Sequence, residues 1–177
     1  NISNISSIRP YDLGTSIFLR WSQNLNLSNV SITNGYAGIY TFNANYNYFS
    51  NLTLDSITRG VNMIGGYNNT FDGVVAGNNA YGILFNSQIH NTTVKNLHIY
   101  NSTSGGIYVA NSGVLGTHTF YNNLLNNTLS YGNIRLSPLI QNHTWNTSNQ
   151  TGTRIFGYGS RISGNYWANS TGGYIQR

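Results

Sequence analysis

The fold of this chain is decided by residues 60–85, which read GVNMIGGYNNTFDGVVAGNNAYGILF. The stretch opens on Gly60-Val61, and the same step returns 22 residues later as Gly82-Ile83. In each copy a second apolar residue, Met63 or Phe85, follows two positions on. Residues i and i+2 lie on one face of a strand, so each copy predicts a short strand with two inward side chains.

The repeat extends outward from this stretch in both directions. Four apolar columns share its period: Ile17, Ile39, Val61, Ile83, Ile107 and Ile134; Leu19, Thr41, Met63, Phe85, Val109 and Leu136; Leu27, Phe49, Phe71, Val94 and Phe120; Val30, Leu52, Val74, Leu97 and Leu124. Spacings in the first column are 22, 22, 22, 24 and 27 residues. A propeller blade (~40 residues) and a helical hairpin (~33 residues) are longer. We therefore predict an all-β, right-handed, single-stranded parallel β-helix, a solenoid of about seven coils of 22–27 residues.

A further column lies between the last two apolar columns and contains only asparagine and glycine: Asn29, Asn51, Gly73, Asn96 and Asn123. Both residue types tolerate positive φ, which a tight corner between two strands requires. The pattern predicts one such corner in each coil, with asparagine side chains hydrogen-bonded along the axis as a ladder. Asn29 and Asn51 would then point into the corner.

Composition supports a single domain over residues 1–177. Only 6% of residues are charged against about 25% in an average domain, but the 39% of apolar residues allows a core. Residues 1–11 are expected to form an N-terminal cap or an added strand. Residues 12–140 form the regular coils, and residues 141–177 form irregular final coils with a Gly-Asn-Tyr-Trp segment.

Two segments resemble a known family. Asn69-Thr70-Phe71 with Gly82-Ile83-Leu84-Phe85 is similar to the NosD-type parallel β-helix repeat, also grouped with carbohydrate-binding and sugar-hydrolase domains. Ser163-Gly164-Asn165-Tyr166-Trp167 resembles a signature that follows the last coils in archaeal surface proteins. The resemblance covers roughly residues 12–170 and implies the fold. It leaves function open, because lyases, hydrolases, adhesins and surface-layer proteins share the repeat. Other family members assist copper-site maturation, but no matching metal motif is found here.

The residues that carry chemistry are few. Asp12, Asp55 and Asp72 are the only acids, and they fall at different phases of the repeat, so no pair of carboxylates is expected to flank a sugar bond. The four histidines are His90, His98, His118 and His143, and they lack the spacing of a metal cluster and are expected at the surface. With no cysteine and no phosphate-binding loop, we predict no catalytic residue, no metal and no cofactor.

The predicted surface is polar and rich in sequons. Candidate N-glycosylation sites are Asn1, Asn4, Asn26, Asn68, Asn91, Asn101, Asn126, Asn142, Asn146, Asn149 and Asn169. Tyr40 and Tyr108 follow inward isoleucines, so they should point outward on one wall as candidate glycan contacts. The net charge of +5 comes from scattered bases, which does not indicate nucleic-acid binding, and no apolar run is long enough for membrane insertion.

These patterns predict a non-catalytic, extracellular structural protein. We expect a β-helical subunit or module of a glycosylated, archaeal-like cell-surface layer, sheath or filament that self-associates through its coil ends, since open strand edges template pairing. A carbohydrate-binding or adhesin module is the first alternative. A polysaccharide lyase or hydrolase of β-helix type is the second.

Overall fold

The computed structural model is a stack of β-coils. It describes residues 1–8, 14–110, 118–126, 134–136, 143–145, 147–148, 150–155, 160–162, 164–168 and 174–176. The strands in these residues are β1 (Ile2–Ile8), β2 (Thr15–Arg20), β3 (Asn26–Phe42), β4 (Tyr48–Tyr67), β5 (Thr70–Gly77), β6 (Tyr81–His90), β7 (Thr93–Lys95), β8 (His98–Tyr100), β9 (Gly105–Val109), β10 (His118–Tyr121), β11 (Leu124–Asn126), β12 (Ile134–Leu136), β13 (His143–Thr144), β14 (Gln150–Thr151), β15 (Arg161–Ile162), β16 (Tyr166–Ala168) and β17 (Tyr174–Gln176). The predicted parallel β-solenoid is confirmed.

The number of coils is smaller than predicted. The chain winds through about five turns instead of seven. The difference arises in residues 141–177, where described strands leave the parallel winding. β14 pairs antiparallel with β15, and β16 pairs antiparallel with β17. These residues therefore do not add regular coils to the stack.

Backbone pairing sets the predicted columns in register. The column that begins at Ile17 continues step by step through Ile39, Val61, Ile83, Ile107 and Ile134. The column of Leu27, Phe49, Phe71, Val94 and Phe120 is likewise continuous. The fourth column departs from the prediction at its end, because Leu124 pairs with His98 and not with Leu97. Asn123 takes the inward place above Leu97.

Each regular coil turns at four left-handed positions, so the long strands β3 and β4 wrap around corners. The columns at these positions are Trp21, Asn43, Gly65 and Gln88; Asn24, Tyr46, Asn68 and Asn91; Asn29, Asn51, Gly73, Asn96 and Asn122; Asn34, Ser56, Asn78 and Asn101. Left-handed backbone costs most L-residues roughly 1–2 kcal/mol, while Gly and Asn adopt it most readily. This requirement explains why a chain of 177 residues carries 30 asparagines.

The core is apolar but includes a second, internal set of asparagines. Phe49 and Phe71 stack with ring centroids 4.6 Å apart, and both are fully buried. Beside them, the side chain of Asn69 accepts hydrogen bonds from the backbone N–H (3.0 Å) and the Nδ2 (3.1 Å) of Asn47 and donates to the Ala44 carbonyl at 2.7 Å. These bonds satisfy the buried amides, which would otherwise cost about 1–3 kcal/mol each.

Candidate functional site

The corner column that begins at Asn29 is the clearest constellation of polar side chains. Asn29, Asn51, Gly73 and Asn96 have φ between 51° and 70°, in the left-handed region. Asn51 Nδ2 donates to Asn29 Oδ1 at 3.3 Å, so side-chain bonding between coils does occur here. Both side chains are nevertheless exposed, which corrects the expectation that they point into the corner.

The fifth member of this column is Asn122 and not the predicted Asn123. Asn122 has a φ of 51°, and its Nδ2 donates to Asn96 Oδ1 at 2.5 Å. Asn123 is fully buried and belongs to the internal set, where its Oδ1 accepts a hydrogen bond from the Leu97 backbone at 2.8 Å. The prediction failed by one residue because Asn122 and Asn123 are adjacent and the longer spacing between these coils hid the phase.

Asp72 fills the gap that Gly73 leaves in the ladder. A Cβ at Gly73 would lie 3.1 Å from Asn51 Oδ1, and the glycine offers no side chain to the next coil. Asp72 Oδ1 instead accepts a hydrogen bond from Asn96 Nδ2 at 2.5 Å. Its other oxygen accepts one from the Tyr48 hydroxyl at 2.5 Å and pairs with Lys95 Nζ at 3.0 Å. Asp72 therefore joins three successive coils.

The ionisation of this cluster follows from its contacts. Burial by itself would raise the pKa of Asp72, but hydrogen bonds from Tyr48, Asn96 and Lys95 outweigh burial and lower the pKa. Burial opposes the charge of Lys95, yet its bond to Asp72 raises the pKa of the ammonium group. The hydrogen bond to Asp72, followed by burial, raises the pKa of Tyr48. At neutral pH the cluster is a charged, structural tie between coils.

Asp55 is separate from this cluster. It accepts hydrogen bonds from Ser56 Oγ and Asn78 Nδ2, both at 2.8 Å, at the opposite end of the same strand β4. Asp12 lies outside the described residues. Among the residues that the structure describes, no two carboxylates come together in the way that hydrolysis of a glycosidic bond requires.

Tyr40 and Tyr108 stand in one column, as predicted from their spacing, but do not share a platform. The column runs from Phe18 through Tyr40, Asn62 and Leu84 to Tyr108. Asn62 and Leu84 between them are buried. The two tyrosines contact different partners, since Tyr40 packs on Phe18 at 5.1 Å and Tyr108 stacks on Tyr81 at 5.4 Å.

The sequon asparagines follow the architecture of the coil. Those whose side chains are described are exposed: Asn1, Asn26, Asn68, Asn91 and Asn101. Asn4 lies in β1 and Asn126 in β11, whereas Asn142, Asn146, Asn149 and Asn169 lie outside the described residues. Asn68, Asn91 and Asn101 all occupy left-handed corners, and each is followed by a buried residue and then by a threonine that is not buried.

The N-terminal end of the core is open. β1 and β2 each pair only with β3 among the described strands, and β1 is an added parallel strand. Ile17, Leu19 and Leu25 are only partly buried, although residues in the next coils of these columns are fully buried. The first coil also carries Ile2, Phe18 and Trp21, with 41%, 54% and 61% of their surface exposed.

The comparison with known families places this solenoid. The sequence model of the family described as "Periplasmic copper-binding protein (NosD)" matches residues 3–172, nearly the whole chain. The chain therefore belongs to the NosD family, as the two resembling segments indicated. The description places the family in the periplasm, which agrees with a location outside the cytoplasm. No curated protein and no solved structure matches the chain significantly. The described residues contain no helix long and apolar enough to cross a membrane.

The described residues do not fit a copper site. Copper in proteins prefers histidine nitrogen and cysteine or methionine sulfur. The chain has no cysteine, and Met63 is fully buried. No group of three or more His, Cys, Asp or Glu comes together in the part of the chain that is described. His118 is a core residue whose Nδ1 accepts a hydrogen bond from the Thr92 backbone at 3.2 Å, which corrects the expectation that the histidines lie at the surface.

The internal asparagines are the residues that the sequence pattern did not reveal. Asn165, in the Gly-Asn-Tyr-Trp segment, accepts hydrogen bonds from the backbone and side chain of Asn123 and donates to the carbonyls of Phe120 and Trp145. Asn79 similarly accepts from the Ile57 backbone and donates to the Leu54 carbonyl. The available signal was their spacing: Asn47 and Asn69 are 22 residues apart and in phase with the apolar columns.

Proposed function

We propose that this protein is a non-catalytic structural module outside the cytoplasm, which associates with further β-coils through its N-terminal coil. The observation that carries the proposal is the open core of that coil. Ile17, Leu19 and Leu25 are partly buried where the following coils are closed, and Phe18 and Trp21 extend the apolar surface outward. A strand edge with unpaired backbone groups beside apolar surface is a template for pairing.

The edge has few features that oppose pairing. β1 carries no charged residue, and β2 has only Arg20, whose guanidinium lies 4.1 Å from the centre of the Trp21 ring. Natural edges are usually protected by charges, prolines or bulges. Within the proposal, a second copy of the chain supplies the partner coil, giving a filament or sheath when the contact repeats. A surface-layer role and glycosylation are the further parts of this proposal.

The test compares two exposed aromatic residues with similar surroundings. Phe18→Lys places a charge on the open coil, whereas Tyr46→Lys is a matched control with 50% of its surface exposed one coil further in. Each residue contacts one other aromatic ring, at 5.1 and 5.0 Å, so the loss of local packing is similar.

We expect sedimentation velocity and negative-stain imaging of the purified chain to show concentration-dependent association that Phe18→Lys disperses and Tyr46→Lys retains. Dispersed monomers of the wild-type chain at high concentration would overturn the proposal, as would an equal effect of both variants. Association into dimers without longer particles would retain the contact but exclude a filament.

A carbohydrate-binding surface is the second candidate. It is favoured by the pairs Phe18–Tyr40 and Tyr81–Tyr108 on one wall, because partly exposed aromatic rings can stack on sugars. Hits on a glycan array that Tyr40→Ala or Tyr108→Ala weakens would support it. Polysaccharide turnover that depends on Asp55 or Asp72 would instead support the enzyme alternative and overturn the non-catalytic proposal.

A further inference from the structure

A cavity of about 440 Å³ lies between the outer corner of the coils and the β14–β15 arm. Its coil side is formed by the ladder residues Asn96 and Asn122, and its arm side includes Arg154, Ile155 and Ile162. The volume falls in the lower part of the range for ligand pockets, roughly 300–1,000 Å³. This size suits a small molecule better than a polymer chain.

The arm is held over the corner by specific hydrogen bonds. Asn122 Nδ2 donates to the Thr153 carbonyl at 3.0 Å, and Asn122 Oδ1 accepts from the Ile155 backbone at 3.1 Å. Arg154 Nε donates to the hydroxyl of the buried Tyr166 at 2.5 Å. The cavity is therefore bounded by an anchored segment, and the guanidinium is fixed in place at its wall.

The chemistry of the walls favours an anion with an apolar or ring-shaped body. No carboxylate is among the described residues that line the cavity. The nearest acid in the ladder, Asp72, is balanced by Lys95 at 3.0 Å. Arg154 thus supplies an uncompensated, permanent positive charge, and guanidinium matches carboxylate better than other groups do. Ile155 and Ile162 add apolar surface.

We propose that this cavity binds a small carboxylate with a body about the size of one sugar ring. Arg154 binds the carboxylate by charge, the isoleucines contact the body, and the Thr153 side chain, which is exposed, lies at the rim. A hexuronic acid has this chemistry and serves as the probe. The inference does not depend on association through the N-terminal coil.

The test is calorimetric titration of the full chain with glucuronate, and with glucose as the neutral match of the same ring. We expect glucuronate to bind about tenfold or more tightly than glucose, and Arg154→Gln to remove that advantage. Arg161→Gln is the matched control, because Arg161 is an exposed cation in the same arm that does not line the cavity. It should change the affinity less than about twofold.

Arg154→Gln also removes the bond to Tyr166, so a second variant separates binding from folding. Ile155→Phe keeps the charge and fills the cavity, and it should abolish binding while the circular dichroism spectrum and the unfolding midpoint are retained. No binding of glucuronate by the wild-type chain would overturn the proposal. Equal losses in Arg154→Gln and Arg161→Gln, or full affinity in Ile155→Phe, would do so as well.

Discussion

The N-terminal and C-terminal parts of the stack solve the same packing problem in different ways. From Ile17 to Ile83, successive coils repeat every 22 residues, and each inward residue packs on its equivalent in the next coil. Beyond Ile107 the spacing lengthens, and antiparallel pairs appear at β14–β15 and β16–β17. The regular part ends in an open coil, whereas the irregular part folds strands back on its own last coils.

This difference teaches that regularity and closure are separate properties of a solenoid. A coil that repeats its neighbour presents an edge that another coil can continue. An antiparallel strand such as β17 breaks the repeat and covers part of that edge. Asn165 illustrates the second solution, because it joins Asn123 to the Phe120 and Trp145 carbonyls across irregular spacings of 42, 45 and 20 residues.

The largest expected effect comes from glycines at which the two parts differ. A Cβ at Gly66 would lie 2.0 Å from the Ala44 carbonyl oxygen, and its φ of 109° suits only glycine. Gly66→Ala should therefore destabilise the chain by about 4 kcal/mol or more. In the arm, a Cβ at Gly152 meets mainly the side-chain end of Ile162, at 2.7 Å, so Gly152→Ala should cost roughly 1 kcal/mol. Chemical denaturation measures both, and equal costs would refute the contrast between a rigid stack and an adaptable arm.

The next effect concerns the internal asparagines. Asn165→Leu leaves the Asn123 amide and two backbone carbonyls without partners, so we expect a loss of about 3 kcal/mol in the free energy of unfolding. Asn68→Ser is the control, since Asn68 is exposed and adjacent to the equivalent buried Asn69, and it should change stability by less than about 1 kcal/mol. A small effect of Asn165→Leu would mean that the last coils are not held by this residue.

A smaller effect is expected at Asp72, which ties the regular coils from outside. Asp72→Asn should cost about 1 kcal/mol at neutral pH. Because the folded pKa of Asp72 is lowered, its contribution is present above the usual aspartate pKa of about 3.9 and is lost as pH falls through the folded pKa. Denaturation curves should therefore converge for the wild type and Asp72→Asn as the solution is acidified. A difference that stays constant with pH would exclude this role of the carboxylate.

The smallest effect is expected from restoring the ladder with Gly73→Asn. Asparagine accepts the φ of 70°, but the new Cβ would lie 3.1 Å from Asn51 Oδ1, so the neighbour must shift slightly. We expect a change within about 0.5 kcal/mol in either direction. Gly73→Val serves as the comparison, because a β-branched side chain does not tolerate this φ and should destabilise clearly. Equal stability of both variants would mean that the corner does not select its residue by backbone conformation.

The columns could be predicted from sequence because each inward position repeats in both residue type and spacing. Val61 and Ile83 pair as expected, and the family match agrees with the resemblance at Gly82-Ile83-Leu84-Phe85. Corners were harder, since asparagine occurs both at left-handed bends and inside the core. Asn122 and Asn123 are adjacent and identical in type, yet one is a bend and the other an internal ladder residue. Only the backbone pairing of the longer coil separates them.

The candidate sites were less predictable for a related reason. The sequon pattern at Asn68 and Asn91 is what a coil produces when a left-handed asparagine precedes a buried residue and a threonine that is not buried. A count of sequons therefore does not by itself indicate glycans. The cavity at Arg154 was missed because it forms where the arm crosses the ladder, between residues 96 and 162, and no local spacing records that contact.

The register between β3 and β4 also gives the molecule an adjustable length. Phe42 and Ile64 occupy equivalent positions in consecutive coils, as do Tyr40 and Asn62. Removing the 22 residues 43–64, or duplicating them, would rejoin the chain between equivalent places and change the height by about 4.8 Å, one strand spacing. Recombination between such repeats can therefore lengthen or shorten the body in fixed increments while leaving its cross-section, its first coil and its arm unchanged.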